Sequence, residues 1–468
     1  EAHSNTEQDP FDFISIKEMC RMGGTEADGG VLAERCRGEL ENYLDMARDY
    51  AVFGAYDEAA EVLSACGTEN PMKYYYLAYY HMLAGNKETG SLHKAAECCP
   101  DYVFPNKSED IAVLEYAISE EPGDGMARYY LGNLMYDRLR YDRAVRLWEE
   151  AAELKPAFPT VWRNLSLGYY NKMHEPAKAE QAMEKAWKLS PDDPRIFMEL
   201  DQLHKKLGMP VQERIAAYDS HKQIFMQRDD LIIEYITLMN LTGQYGRAYE
   251  MLMSHHFHPW EGGEGKVTAQ YKIALVERAR GYIRDKDWET AAQDLEKALI
   301  YPENLGEGKL EGCKDNDIYY YLGICAEMTG NTEKARQCYA RAEAGTYEPA
   351  GVMYYNDQPS DMIYYQGLAE QKTGRTTQAK AGFNKLLDYG ERHLYDKMRI
   401  GYFAVSLPDF LIFNDDLDVR NKAHCYYLMG LGNMGLGNSA AAAENFRTAL
   451  ELSPYHQDAA RYLKMAVQ

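Results

Sequence analysis

Small and large residues recur along this chain in a fixed order, and no other feature limits its possible folds so strongly. A leucine-glycine pair is followed by an alanine, an aromatic residue, a second alanine and a proline. The clearest copy is Leu131-Gly132, Ala144, Trp148, Ala151 and Pro156. The next has Trp162, Leu165, Tyr169, Ala179, Ala186 and Pro191. A third has Tyr319, Leu322-Gly323, Gly330, Ala335, Tyr339 and Ala342, and a fourth Gly367, Gly374, Ala379 and Phe383. The last has Tyr426, Gly430, Gly437, Ala442, Phe446, Ala449 and Pro454. Glycine or alanine belongs where two helices cross closely, and large residues fill the gaps beside the crossing. Proline stops the second helix because it cannot continue one. No run of alternating β-branched residues bounded by turn signals competes with this pattern.

The order resembles that of the tetratricopeptide repeat, two antiparallel helices in about 34 residues. It predicts an all-α, right-handed superhelical solenoid of about nine or ten helix pairs, each stacked on the last with a small constant rotation. Weaker copies sit near Gly54 and Ala59, Gly85, Ala248 and Ala291, and residues 194–218 are helical but degenerate. Residues 1–33 do not fit and are expected to form an irregular or capping segment. The solenoid is expected to run continuously over 34–468, with inserted loops near 255–266, 301–315, 346–361 and 402–418.

Among 468 residues there are 51 basic and 73 acidic side chains, a net charge of −22. Such a field repels nucleic-acid phosphates and anionic membranes, and no stretch has the ~18 apolar residues a membrane helix needs. Neither nucleic acid nor membrane is an expected partner. The nine cysteines are an odd number, without any Cys-x-x-Cys pair, and most fall at small apolar helix positions. That usage points to a reducing, cytoplasmic setting.

Insertions in a solenoid map to loops, often on a binding face. Pro259-Trp260-Glu261-Gly262-Gly263-Glu264-Gly265-Lys266 and Pro302-Glu303-Asn304-Leu305-Gly306-Glu307-Gly308-Lys309 share five of eight residues. Both follow a second helix, so both are expected at the same edge, side by side. They are read either as rigid turns that cap the next helix or as a paired partner-binding site, with His258, Trp260, Glu261, Glu264, Lys266, Asn304, Glu307 and Lys309 as contacts. Tyr355, Asn356, Asp357 and Gln358, from a third polar and aromatic insertion, join that set.

Motifs for chemistry are weak. Gly430, Gly432 and Gly435 match a dinucleotide fingerprint but lie on a repeat helix without the strand the fold requires. Lys266 and Lys309 lack the remaining phosphate-loop residues. His255, His256 and His258 have no matching ligand at metal spacing, so neither metal nor cofactor is expected. Glu261, Glu264 and Glu307 leave open an alternative in which loop carboxylates complete a sugar site of a carbohydrate-active protein. Asn133, Asn164 and Arg195 resemble part of a carboxylate clamp for partner C-termini, but Tyr129 and Glu199 stand where basic residues belong.

Tyrosine is abundant, with 39 copies. In repeat register Tyr75, Tyr79, Tyr129, Tyr136, Tyr170, Tyr320, Tyr364 and Tyr427 face the concave side, with Asn133 and Arg163 among them. A flat apolar body with a polar tip suits a binding groove. The same rings could equally fill a tight superhelix. The expected function is a non-catalytic protein-binding scaffold that holds a peptide, a neighbouring domain or a subunit.

A narrower resemblance rests on Arg228-Asp229-Asp230-Leu231, Phe257-His258-Pro259-Trp260, the two glycine-rich loops, Tyr355-Asn356-Asp357-Gln358-Pro359 and Tyr402-Phe403-Ala404-Val405-Ser406-Leu407-Pro408-Asp409. These strings resemble a bacterial family with a β-rich N-terminal domain of unknown function followed by a C-terminal repeat region. The resemblance implies that this chain is the repeat part of a longer protein, with that N-terminal domain as one possible partner.

Overall fold

A computed structural model describes residues 2–22, 26–86, 90–260, 262–351, 358–398 and 412–467. Their regular structure is helical, and no strand occurs among them. Backbone contacts divide the chain into two compact units, 1–191 and 192–468.

The described residues of the first unit hold four helix hairpins: Leu40–Val52 with Tyr56–Ser64, Pro71–Leu83 with Gly90–Glu97, Gly125–Asp137 with Tyr141–Leu154, and Pro159–Gly168 with Pro176–Leu189. Helix Glu109–Glu120 stands between the second and third. Local chemistry starts these helices. Asn70 accepts from the Met72 amide with Pro71 at the first helical position, and Asp124 accepts from the amides of Met126 and Ala127. Such caps satisfy amides that the helix itself leaves unbonded. One continuous apolar core runs from Ile16 to Ala182.

Asp124 is also the acceptor for the buried Tyr75 hydroxyl, at 2.7 Å. Asp124→Ala should therefore lose a cap and strand a buried phenol, lowering stability by about 2 kcal/mol. The midpoint of the first transition in urea unfolding checks this.

The irregular or capping segment expected over 1–33 contains helices joined by non-helical residues 9–12. Ala2–Gln8, Phe13–Arg21 and Glu26–Cys36 form three short helices. Ile16, Leu32 and Cys36 reach the core, while Tyr50 donates to Glu18 at 2.5 Å and Arg21 pairs with Glu58 at 2.8 Å. These helices lack the small-residue crossings of the repeat, but they cover the apolar face that the first hairpin would otherwise expose.

Among the described residues of 192–468 there are six hairpins: Pro194–Lys206 with Val211–Ser220, Asp229–Leu241 with Tyr245–Ser254, Lys266–Arg284 with Trp288–Ala298, Asn316–Met328 with Thr332–Ala342, Met362–Lys372 with Thr376–His393, and Leu417–Gly435 with Ser439–Leu452. A last helix, Gln457–Ala466, follows. The ten hairpins across the two units agree with the number expected from the repeat length. The crossings form where the sequence placed them. A side chain at Gly323, Gly367 or Gly430 would overlap the ring of Tyr339, Phe383 or Phe446, as one at Gly132 would overlap Trp148 in the first unit.

The last helix returns to the early part of its own unit. Gln457 hydrogen-bonds Gln270 at 2.9 Å, and Arg461 reaches Glu277 at 2.8 Å. Just before it, the Tyr455 hydroxyl donates to the Met209 carbonyl, and the Arg214 guanidinium lies 4.7 Å from the Tyr455 ring centroid.

Candidate functional site

The two glycine-rich loops do meet. The Phe257 amide donates to the Asn304 carbonyl at 2.8 Å, and the Asn304 side chain donates to the carbonyls of Leu252 and His255 at 2.9 and 2.8 Å. Both oxygens of Glu307 accept from the Gly265 amide at 3.0 Å. Gly306 has φ +77° and sits so close to the Phe257 carbonyl that no side chain fits. Burial, partly offset by the Gly265 amide, raises the pKa of Glu307. Lys309 bonds the Leu299 carbonyl at 2.9 Å and Asp315 at 2.5 Å.

Asn304, Glu307 and Lys309 are thus engaged in holding the loops to each other and to their own unit. His258 makes a backbone bond to Asp229 at 2.7 Å, and its ring lies 3.2 Å from the same carboxylate. Even so, its side chain is 79% exposed. Trp260 packs on Gly263 and is half-exposed, Glu264 is exposed, and Lys266 opens the helix that follows. Gln358 is bonded to the backbone of Thr346 at 2.8 and 3.0 Å. Glu261, Tyr355, Asn356 and Asp357 lie outside the described residues, as does 402–411.

The tyrosines expected along an open groove divide into two sets. Tyr75, Tyr129, Tyr364 and Tyr427 are buried, which corrects the expectation that they line an open surface. Tyr75 gives its hydroxyl to Asp124, and Tyr129 packs edge-on against Phe158 at 5.0 Å. Tyr462 of the last helix lies 6.0 Å from Tyr364 and 5.8 Å from Tyr427. A large ring gains more by filling the inside of a tight turn of helices than by facing water. Tyr79, Tyr136, Tyr170 and Tyr320 stay half-exposed, as does Arg163, and Asn133 accepts from the Trp148 indole at 3.0 Å.

A charged inner face forms around the buried rings of the second unit. Asp317, Asp361 and His424 each stand six residues before the crossing glycine of their hairpin, Gly323, Gly367 or Gly430, and three before Tyr320, Tyr364 or Tyr427. Residues three apart share a helix face, so the three helices present the same two-position ladder. Asp458 and Arg461 add a rung from the last helix, joined to each other at 2.8 Å. From helix Lys266–Arg284 come Lys272, bonded to Asp315 at 2.8 Å, and Glu277, bonded to Arg280 at 2.6 Å.

Burial, reinforced by the carboxylates of Asp458 and Asp317, pushes Asp361 up to about 7, against the opposing pull of Arg461 and Lys272. Asp317 is raised for the same first reason. His424 and His456 are depressed, mainly by burial. A carboxyl whose folded pKa is raised binds its proton more tightly folded than unfolded. Stability then falls as pH rises from about 4 to about 7, and the deficit persists above that window. Asp361→Asn should accordingly stabilise the protein at pH 8 and leave it nearly unchanged at pH 4. The gain is on the order of 2 kcal/mol once the partial solvent exposure of Asp361 is allowed for. Thermal melts at the two pH values check it.

Of this inner face, sequence reading singled out only the tyrosines. Asp317, Asp361 and His424 were legible in principle from the constant six-residue offset to the crossing glycine, whereas Lys272, Glu277, Asp458 and Arg461 lie on helices with no such glycine to align.

A tetratricopeptide-repeat family model matches residues 276–349, and a second matches 361–389. Over these two stretches the chain carries tetratricopeptide repeats. The matched stretches contain Glu277, Arg280, Asp317 and Tyr320 in one case and Asp361 and Tyr364 in the other. Among solved structures the chain is similar to MamA from Desulfovibrio magneticus RS-1, with 16% identity over 41% of this chain and 97% of that one and a TM-score of 0.25. It is similar to YrrB, described as a tetratricopeptide-repeat protein with an unusual peptide-binding site, with 17% identity over 42% and 96% and a TM-score of 0.21. It is also similar to the Naa15/Naa10 complex bound to HypK-THB, with 13% identity over 91% and 65% and a TM-score of 0.34.

Proposed function

We propose that this chain is a non-catalytic protein-binding scaffold whose partner segment lies along the inner face of residues 266–466. The observation that carries this reading is the set of half-buried Tyr320, Asp361 and His424, which stay accessible beside the buried rings of Tyr364 and Tyr427. They lie on or at the start of the first helices of three consecutive hairpins. Half-exposed Tyr320 offers the flat, partly polar contact that recognition surfaces favour. Exposed His258 and Glu264 with half-exposed Trp260 form a second contact area, held rigid by the loop clasp. The partner could be a peptide, a subunit or the N-terminal domain of the same full-length protein.

The test is an array of random-sequence synthetic peptides probed with the whole chain. A reproducible set of bound peptides, displaced by the same peptides free in solution, is the expected result. An array without a single displaceable spot would overturn the scaffold reading.

A further inference from the structure

We propose that the side-chain cluster of Asp317, Asp361 and Tyr427 binds a positively charged side chain, the ammonium or guanidinium of a lysine or arginine on the partner segment. This rests on the scaffold reading above and names the chemistry the inner face selects.

Charge bookkeeping in the cluster leaves carboxylates in excess. Its three acids are Asp317, Asp361 and Asp458, and its two cations are Lys272 and Arg461. Lys272 bonds Asp315 at 2.8 Å while also acting on Asp317, and Arg461 bonds Glu277 and Asp458, each at 2.8 Å, so both cations are shared among several carboxylates. Among the described residues neither Asp317 nor Asp361 forms an ion pair. Asp317 is only 8% exposed, and its Oδ1 has no hydrogen-bond partner among the described residues. The Tyr427 hydroxyl is in the same position at 5% exposure, with Asp361 and Asp458 as its strongest charged neighbours. Buried polar groups are normally bonded, and each one left over in a folded protein calls for a ligand or another explanation. A carboxylate oxygen and a phenol oxygen can both accept a hydrogen bond, which matches a donor-only cation.

The cluster can be reached, because Asp361 and Asp458 are only half-buried. Rings of Tyr364, Tyr427 and Tyr462 form its apolar wall, which favours a cation with an aliphatic stem. The chain already solves the same problem once. Its own Arg461 lies between Glu277 and Asp458 with its guanidinium 5.9 Å from the Tyr462 ring centroid. A second cation entering beside it would relieve the repulsion between Asp317 and Asp361 and find acceptors within reach.

The experiment takes peptides bound on the array and measures each in solution by fluorescence anisotropy. Every lysine is replaced by acetyl-lysine and every arginine by citrulline, one position at a time. The expected result is that one basic residue dominates, and neutralising it weakens binding by about tenfold or more. The double variant Asp317→Asn with Asp361→Asn should weaken the parent peptide by a similar factor while leaving the neutralised peptide unaffected, with an unchanged or higher melting temperature. Bound peptides that carry no essential basic residue, or a double variant within about twofold of the wild type, would overturn the cation site and leave the scaffold standing. If millimolar calcium alone raises the melting temperature and displaces the peptides, the cluster is a metal site and the proposal is wrong. A complete absence of bound peptides would remove the scaffold reading and the cation site together.

Discussion

Asp201→Ala should destabilise residues 192–468 by about 3–5 kcal/mol, because it leaves a fully buried guanidinium without its main partner. Arg214 has no exposed surface, and Asp201 receives its Nε at 2.7 Å and a terminal nitrogen at 2.6 Å. Asp201 also accepts from the Tyr218 hydroxyl at 2.8 Å. Only Glu234 would remain, at 2.8 Å from Arg214, and it is shared with Lys205. Burial works against ionised Glu234, but Lys205 and Arg214 outweigh it and hold it at about 2. The charge needed to hold Arg214 is therefore partly spent before Asp201 is lost. The double replacement Asp201→Leu with Arg214→Met should recover most of the loss, since exchanging a whole buried pair for packed apolar groups is often neutral. Chemical denaturation of the wild type, the single and the double variant measures both effects. A single variant within about 1 kcal/mol of the wild type would mean that the network is not what secures the first hairpin of this unit.

The second large effect concerns the paired loops. Gly306→Val should cost about 2–4 kcal/mol, part from forcing a branched residue to φ +77° and part from overlap with the Phe257 carbonyl. The loop would have to move off its neighbour, breaking the Phe257–Asn304 bond and loosening Asn304 from Leu252 and His255. Limited proteolysis should then cut within 255–266 and 301–309 at protease levels that leave the wild type intact. Gly308→Ala is the control. It lies in the same glycine-rich string, but a side chain there meets nothing, so its melting temperature and proteolysis pattern should match the wild type.

Much of the fold was readable because each crossing is a local event with a local signature. Gly132 opposite Trp148 and Gly367 opposite Phe383 are sixteen residues apart in both cases, within one hairpin, and sterics alone demand the small residue. The meeting of the two loops was readable too, since the shared string placed both after a second helix. What the pattern could not carry was long-range closure. Gln270 and Gln457 are far apart in sequence, and nothing in a period of one hairpin says that the last helix will return to the third. That return decides which tyrosines are buried, so Tyr364 and Tyr427 read as groove residues until Tyr462 is placed against them. The three N-terminal helices were missed for a related reason. They pack by burying single residues such as Ile16 rather than by a repeated crossing. The acid ladder stood in plain register with the tyrosines, but Asp317 and Asp361 look like ordinary solvated first-turn carboxylates until their neighbours are known.

The most direct test places p-benzoylphenylalanine at Tyr320, half-exposed on the inner face, and in a separate sample at Arg447, exposed on the second helix of the last hairpin. Each is irradiated with an array-selected peptide and the adducts are mapped by mass spectrometry. Adducts at Tyr320 that are competed by free peptide, with none at Arg447, are the predicted result. Adducts at Arg447 alone would put the partner on the outer surface and contradict the inner-face scaffold.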